Sequence, residues 1–113
     1  MNFELTYSPL ALEDLDRVWD EVYEASQDFD TADRYVDDLR AEVRKKKKYP
    51  KTGTSLTFMG EFTGLYTVSF KEYIAFYRII GNLIEVGRVL FARSDYMKVL
   101  FGRSEYTLED NED

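Results

Sequence analysis

The hydrophobic pattern changes period as the chain proceeds. Phe3-Glu-Leu-Thr-Tyr7 alternates apolar and polar side chains, the period-two signature of a short strand. Ser8-Pro9 then reads as a helix cap followed by a proline at the first helical position, where its missing N–H costs nothing. Beyond it Leu12, Leu15, Val18, Trp19, Val22 and Tyr23 recur every three or four residues. Glu13, Asp14, Asp16, Asp20, Glu21 and Glu24 fill the intervening positions. This predicts an amphipathic helix to about residue 26 with a solvated acidic face. A second stripe of Ala32, Tyr35, Val36, Leu39 and Val43 predicts another helix, capped by Asp30 or Thr31. Lys46 and Lys47 interrupt that stripe before Tyr49-Pro50 stops the helix. A few polar residues separate the two helices, so an antiparallel helical hairpin is expected.

Residues 53–64 are rich in Thr and Gly and read as a loop or an irregular strand. Alternation then returns with Tyr66, Val68 and Phe70, and Tyr73 to Ile80 is a dense run of β-formers suited to a central strand. Gly81-Asn82 reads as a two-residue hairpin turn requiring positive φ, with Leu83 to Ala92 as the partner strand. A short helix or turn is possible from Asp95 to Phe101. The order is β-α-α-β-β-β. The expected fold is α+β, an antiparallel sheet with the N-terminal helical hairpin packed on one face, in a single domain over residues 1–103. Such a sheet leaves its other face and its edges for a partner to cover.

Composition narrows the chemistry. The 113 residues contain no Cys and no His, which removes thiolate nucleophiles, Cys-type zinc sites and the commonest general base. No metal or cofactor is expected. The absence of a long apolar run and of a basic leader makes the cytoplasm the expected location. The net charge of −7 argues against a general nucleic-acid binder. Its distribution is uneven: residues 104–113 hold five acids and no base, whereas residues 44–51 hold six bases and no acid. The acidic segment is expected to be a disordered tail that repels or shields. The basic run reads as a solvated helix end first and a nucleic-acid patch second.

Several stretches, taken in order, resemble the RelE/ParE family of toxins from type II toxin–antitoxin modules. They are Tyr7-Ser-Pro-Leu-Ala-Leu-Glu-Asp-Leu15 with Trp19, Ala32-Asp-Arg-Tyr35 with Leu39 and Val43, and Pro50 with Gly53. Tyr73-Ile-Ala-Phe-Tyr-Arg78, Ile84-Glu-Val-Gly-Arg-Val-Leu90 and Ala92-Arg-Ser-Asp95 follow. The resemblance spans roughly residues 3 to 102, and Tyr73 to Arg78 is closer to the ParE-like branch. It implies the toxin of a plasmid-stabilisation module that inhibits DNA gyrase without being an enzyme and is neutralised by an antitoxin wrapping it with helix and strand. The alternatives are a RelE-like, ribosome-dependent mRNA endoribonuclease, or a degenerate member that only binds its antitoxin.

For the ribonuclease, the resemblance implies Arg93, Tyr96 and Lys98 as the catalytic groups. It places Ile74 where a strand arginine is expected. For the ParE-like branch, Phe91 stands where a histidine is common, and Lys71-Glu72 where a glycine is favoured. Contact with target or antitoxin is assigned to Arg88, Arg93, Tyr96, Lys98 and Arg103. Arg88 has a competing structural reading, an ion pair with Glu85 or with an acid on the first helix. Arg78 is expected to be paired, and Tyr73 and Tyr77 to be buried with satisfied hydroxyls.

Overall fold

A computed structural model describes residues 3–102 of the chain. Strand β1 (Glu4–Tyr7) leads into helix α1 (Pro9–Ser26). Ser8 caps the helix as its sequence predicts: its Oγ accepts from the Ala11 N–H at 3.0 Å and donates to the Gly87 carbonyl at 2.8 Å. Helix α2 (Phe29–Arg44) begins earlier than Asp30 or Thr31 would place it, because Gln27 adopts a left-handed conformation (φ 55°) and turns the chain at once. Asp28 takes the cap position. The early start sets Phe29 against Tyr23, ring centroids 4.8 Å apart, and Tyr23 stacks in turn on Trp19 at 5.4 Å. Leu12, assigned to the buried stripe by its spacing, is 46% exposed, since the packed stripe runs through Ala11, Leu15 and Val18.

The chain leaves α2 through 3-10 turns at Lys45–Lys47 and Pro50–Thr52 and enters β2 (Thr54–Phe58). The Thr/Gly-rich stretch is therefore an additional strand with a bulge between Ser55 and Thr57. Met59 and Gly60 both take positive φ to form the hairpin into β3 (Glu61–Phe70). Methionine is an unusual occupant of that position, which is why the turn carries no sequence signal. Strands β4 (Tyr73–Ile80) and β5 (Leu83–Phe91) follow as expected, joined at Gly81 (φ 60°), and helix α3 (Tyr96–Phe101) closes the described chain.

The sheet order is β1-β5-β4-β3-β2, with β2 through β5 antiparallel and β1 parallel to β5. The α+β class and the helical hairpin are as expected. The sheet is mixed rather than wholly antiparallel and has five strands. The hairpin carries the chain to the far edge, and the four-strand meander walks back to β1, meeting it in the same direction.

Two cores result. Between hairpin and sheet lie Leu15, Val18, Leu39, Val43, Ala75, Tyr77, Ile84 and Val86. On the opposite face Leu56, Phe76 and Leu90 are covered by Tyr96, Met97, Leu100 and Phe101 of α3. The second face is thus partly roofed by the chain itself, where the sequence suggested an open surface. Ser8→Ala removes both the cap and the tie to β5. It should lower unfolding free energy by about 1–2 kcal/mol in urea titration, with the slope unchanged.

Candidate functional site

Among the described residues, Arg93, Tyr96 and Lys98 form no side-chain hydrogen bond or ion pair with one another. After β5 the backbone turns sharply, with the Ala92 N–H donating to the Glu72 carbonyl at 2.8 Å and Ser94 donating to Phe91 through both N–H and Oγ. That turn holds Arg93 exposed, with no ion pair among the described residues. Asp95 caps α3, its Oδ1 accepting from the Lys98 N–H at 3.3 Å, and the Lys98 side chain is exposed. Tyr96 is turned inward, its ring 5.2 Å from that of Phe76. Arg103 lies outside the described residues, as does the acidic tail.

Arg88 is tied into the fold. Its Nε donates to Asp14 Oδ2 at 2.8 Å and its Nη2 to Oδ1 at 3.1 Å, a two-pronged ion pair. Asp14 also accepts from Arg17 at 2.7 Å and from the Val89 N–H at 2.9 Å. The reason lies in strand lengths. β1 pairs with β5 only from Leu83 to Val86, so the β5 edge continues without a neighbour strand. Ser8 and Asp14, both from the α1 end, satisfy the Gly87 carbonyl and the Val89 N–H in its place.

Asp14 is 1% exposed, not part of a solvated acidic face. Burial pushes its carboxyl up, but hydrogen bonds from Arg88, the Val89 N–H and Arg17 outweigh that and hold it below the ordinary carboxylate value. The sequence did contain a signal: position 14 stands three residues after Ala11 and four before Val18, on the buried stripe.

The remaining pairs follow expectation. Arg78 bonds Glu85 at 3.0 Å across the β4–β5 hairpin. Tyr73 donates its hydroxyl to Glu21 at 2.6 Å and Tyr77 to the Pro50 carbonyl at 2.5 Å. Burial pushes the Tyr77 hydroxyl up to about 12. Burial also raises Tyr73, reinforced by the bond to Glu21. Both phenols stay protonated at neutral pH.

Beside Tyr73 opens a groove of about 640 Å³ between the hairpin and the β3–β4 turn, lined by Val22, Ala25, Tyr35, Tyr73 and Phe91 with Glu21 and Glu72 at its rim. Lys71 lies at this end in a left-handed conformation (φ 52°), its Nζ 5.1 Å from the centre of the Tyr35 ring. Among the described residues no group of three or more carboxylates is placed to hold a metal ion, and no helix is long and apolar enough to cross a membrane.

A helical hairpin on a five-stranded mixed sheet, roofed on the second face by a short C-terminal helix, defines a RelE/ParE-like fold. The chain belongs to the family described as the ParE toxin of type II toxin–antitoxin system, parDE, whose sequence profile matches residues 5–96. It is similar in structure to a chain of the chromosomal ParDE toxin–antitoxin system from P. aeruginosa. That match has a TM-score of 0.67 and 22% identity, covering 80% of this chain and 97% of the other. It is also similar to a chain of the toxin–antitoxin complex RelBE2 from Mycobacterium tuberculosis, with a TM-score of 0.53 and 16% identity. There the coverage is 80% of this chain and 99% of the other. No curated protein matches.

Proposed function

We propose that this ParE-family toxin acts in the cytoplasm as a non-enzymatic inhibitor of DNA gyrase, held silent by a cognate antitoxin. The observation that carries this reading is that the would-be ribonuclease groups Arg93, Tyr96 and Lys98 form no hydrogen bond or ion pair with one another. Cleaving RNA through the ribose 2′-OH needs a base and an acid within hydrogen-bond reach of one phosphate. Here Arg93 and Lys98 are exposed while Tyr96 packs on Phe76, and the sequence offers no histidine. Exposed cations without a proton-transfer partner suit contact with a macromolecular surface better than catalysis. Arg88, held by Asp14, positions the strand that leads into the Arg93 turn rather than touching a target.

The antitoxin reading draws support from the two similar structures, both described as toxin–antitoxin assemblies. β2 is an edge strand with exposed Thr54, Ser55 and Thr57, open to strand addition. The groove beside Tyr73 is apolar enough at its base to take the side chains of a helix.

Pulse labelling of DNA and protein synthesis after inducing the chain alone in a bacterium tests the target. Early loss of DNA synthesis with translation spared is the expected result, and early translation arrest would return the ribonuclease reading. Arg93→Ala should weaken growth inhibition about tenfold, the effect of losing one good charged contact. Undiminished toxicity in that variant would remove Arg93 from the contact surface.

A further inference from the structure

The basic run at 44–51 has no part in the function proposed above, and the fold brings it to a second groove. As the chain winds through its 3-10 turns, Lys48 and Lys51 come to the rim of a depression of about 590 Å³. Its apolar lining comes from Phe3, Tyr49, Pro50 and Ile79, and it includes no acidic residue. Lys45 is neutralised by Glu42 at 2.7 Å, and Lys46 donates to the Thr52 hydroxyl at 3.1 Å. Lys48 has only the Tyr49 ring, 5.8 Å from its Nζ, and neither Lys48 nor Lys51 has an ion pair among the described residues. Tyr49 itself is 63% exposed. An apolar lining under a cationic rim calls for an occupant that is acidic and also carries apolar side chains.

The walls of this groove are fixed by the fold. Thr52 donates to the Tyr49 carbonyl twice, from its N–H at 3.1 Å and from Oγ1 at 2.6 Å. The Pro50 carbonyl accepts from the buried Tyr77 hydroxyl at 2.5 Å, and the Phe3 N–H donates to the Lys47 carbonyl at 2.8 Å. Binding therefore costs little ordering on the side of the protein. The two grooves differ in sign: Glu21 and Glu72 stand at the rim beside Tyr73, Lys48 and Lys51 at the rim here. Tyr73 opens β4 and Ile79 comes near its end, so the grooves lie about 20 Å apart along that strand. An acidic segment is repelled at the first and attracted at the second.

We infer that the antitoxin anchors in this groove through an extended acidic segment that carries a large apolar side chain. The inference rests on the antitoxin reading above and adds the chemistry of one contact. The apolar side chain meets Phe3, Pro50 and Ile79, and the carboxylates beside it meet Lys48 and Lys51. A helix seated beside Tyr73 reaches this groove through roughly six extended residues. A nucleic-acid strand also matches the rim, but it brings a phosphate with every base to a protein of net charge −7. A peptide brings only the few carboxylates that two lysines neutralise, and it fills the apolar lining as well.

Binding of a fluorescently labelled synthetic peptide, Glu-Asp-Leu-Phe-Glu-Asp, to the full chain tests the contact by anisotropy, with backbone amide shifts to locate it. The Thr52 and Gly81 amides are expected to respond. Lys48→Gln with Lys51→Gln should weaken binding about tenfold, whereas Lys45→Gln, in the same run but already paired, should change it less than about twofold. Replacing the peptide's Leu and Phe by Ser should also weaken binding about tenfold. Equal affinity for the double variant or for the serine peptide would overturn the inference, as would shifts confined to the groove beside Tyr73. A ten-nucleotide single strand that binds more tightly than the peptide would overturn it in favour of nucleic acid. Undiminished silencing of the double variant by a co-expressed antitoxin would remove this contact and leave the antitoxin reading standing. The gyrase reading is decided separately, by the pulse labelling.

Discussion

Asp14→Ala should cost this protein about 3–5 kcal/mol of unfolding free energy. A loss of that size is a large share of the total for a domain of this length. The carboxylate is 1% exposed and serves three donors: Arg88, Arg17 and the Val89 N–H. Removing it strands a half-buried guanidinium and an edge amide that no strand covers. Asp14→Asn retains an acceptor for Val89 but leaves Arg88 unpaired, so it should recover only part of the loss. Arg88→Met together with Asp14→Leu replaces both charges by apolar groups and should be milder than Asp14→Ala alone. Urea unfolding of the four proteins checks the series. A loss below about 1 kcal/mol for Asp14→Ala would mean that the ion pair contributes no more than a surface pair.

The same carboxylate sets an acid limit. Its folded-state pKa lies below the ordinary 3.8, so the unfolded chain takes up the proton first as pH falls. The stabilisation is complete well above 3.8, declines as pH drops below it, and is gone once pH passes the folded value. Asp14→Asn should therefore flatten the fall of stability between about pH 5 and the acid transition.

Gly53→Ala is the second large effect, and it arises from space rather than backbone conformation, since Gly53 is extended at φ −67°. A Cβ there would lie inside contact distance of Tyr77 Oη and 3.0 Å from the Thr67 carbonyl oxygen. Tyr77 cannot yield easily: it is fully buried, bonded to the Pro50 carbonyl, and stacked on Tyr66 at 5.7 Å. The Thr67 oxygen belongs to the β3 backbone. A destabilisation of about 2–3 kcal/mol is expected. Tyr77→Phe alone should cost about 1–2 kcal/mol by leaving the Pro50 carbonyl unsatisfied. In the double variant the clash with the hydroxyl disappears, so its loss should fall short of the sum by about 1 kcal/mol. Strict additivity would show that the close approach of Gly53 to the hydroxyl is not what requires glycine.

How much could be read from the residues varied with the range of the interaction that decides them. The N-terminal strand, both long helices and the β4–β5 hairpin were legible because a periodic apolar stripe or a capping residue marks each locally. β2 was not, since an edge strand buries little beyond Leu56 and its turn uses methionine where glycine or asparagine would announce it. The α2 start moved because a glutamine adopted the left-handed conformation, which composition does not forecast.

For the candidate site, the residues were identifiable but their company was not. Arg93 and Lys98 are exposed, while Arg88 and Tyr96 face inward, one to Asp14 and the other to Phe76. Those pairings join positions far apart in sequence. By itself, then, the sequence determined the element types other than β2, the α+β class and the family, all properties of local patterning and residue order. Only the tertiary structure decided that β1 runs parallel to β5, that α3 roofs the second face, and that an acidic residue on α1 completes the edge of β5. Each depends on which surfaces meet once the chain has turned, and hydrophobic burial and hydrogen-bond satisfaction act on those surfaces regardless of their separation along the chain.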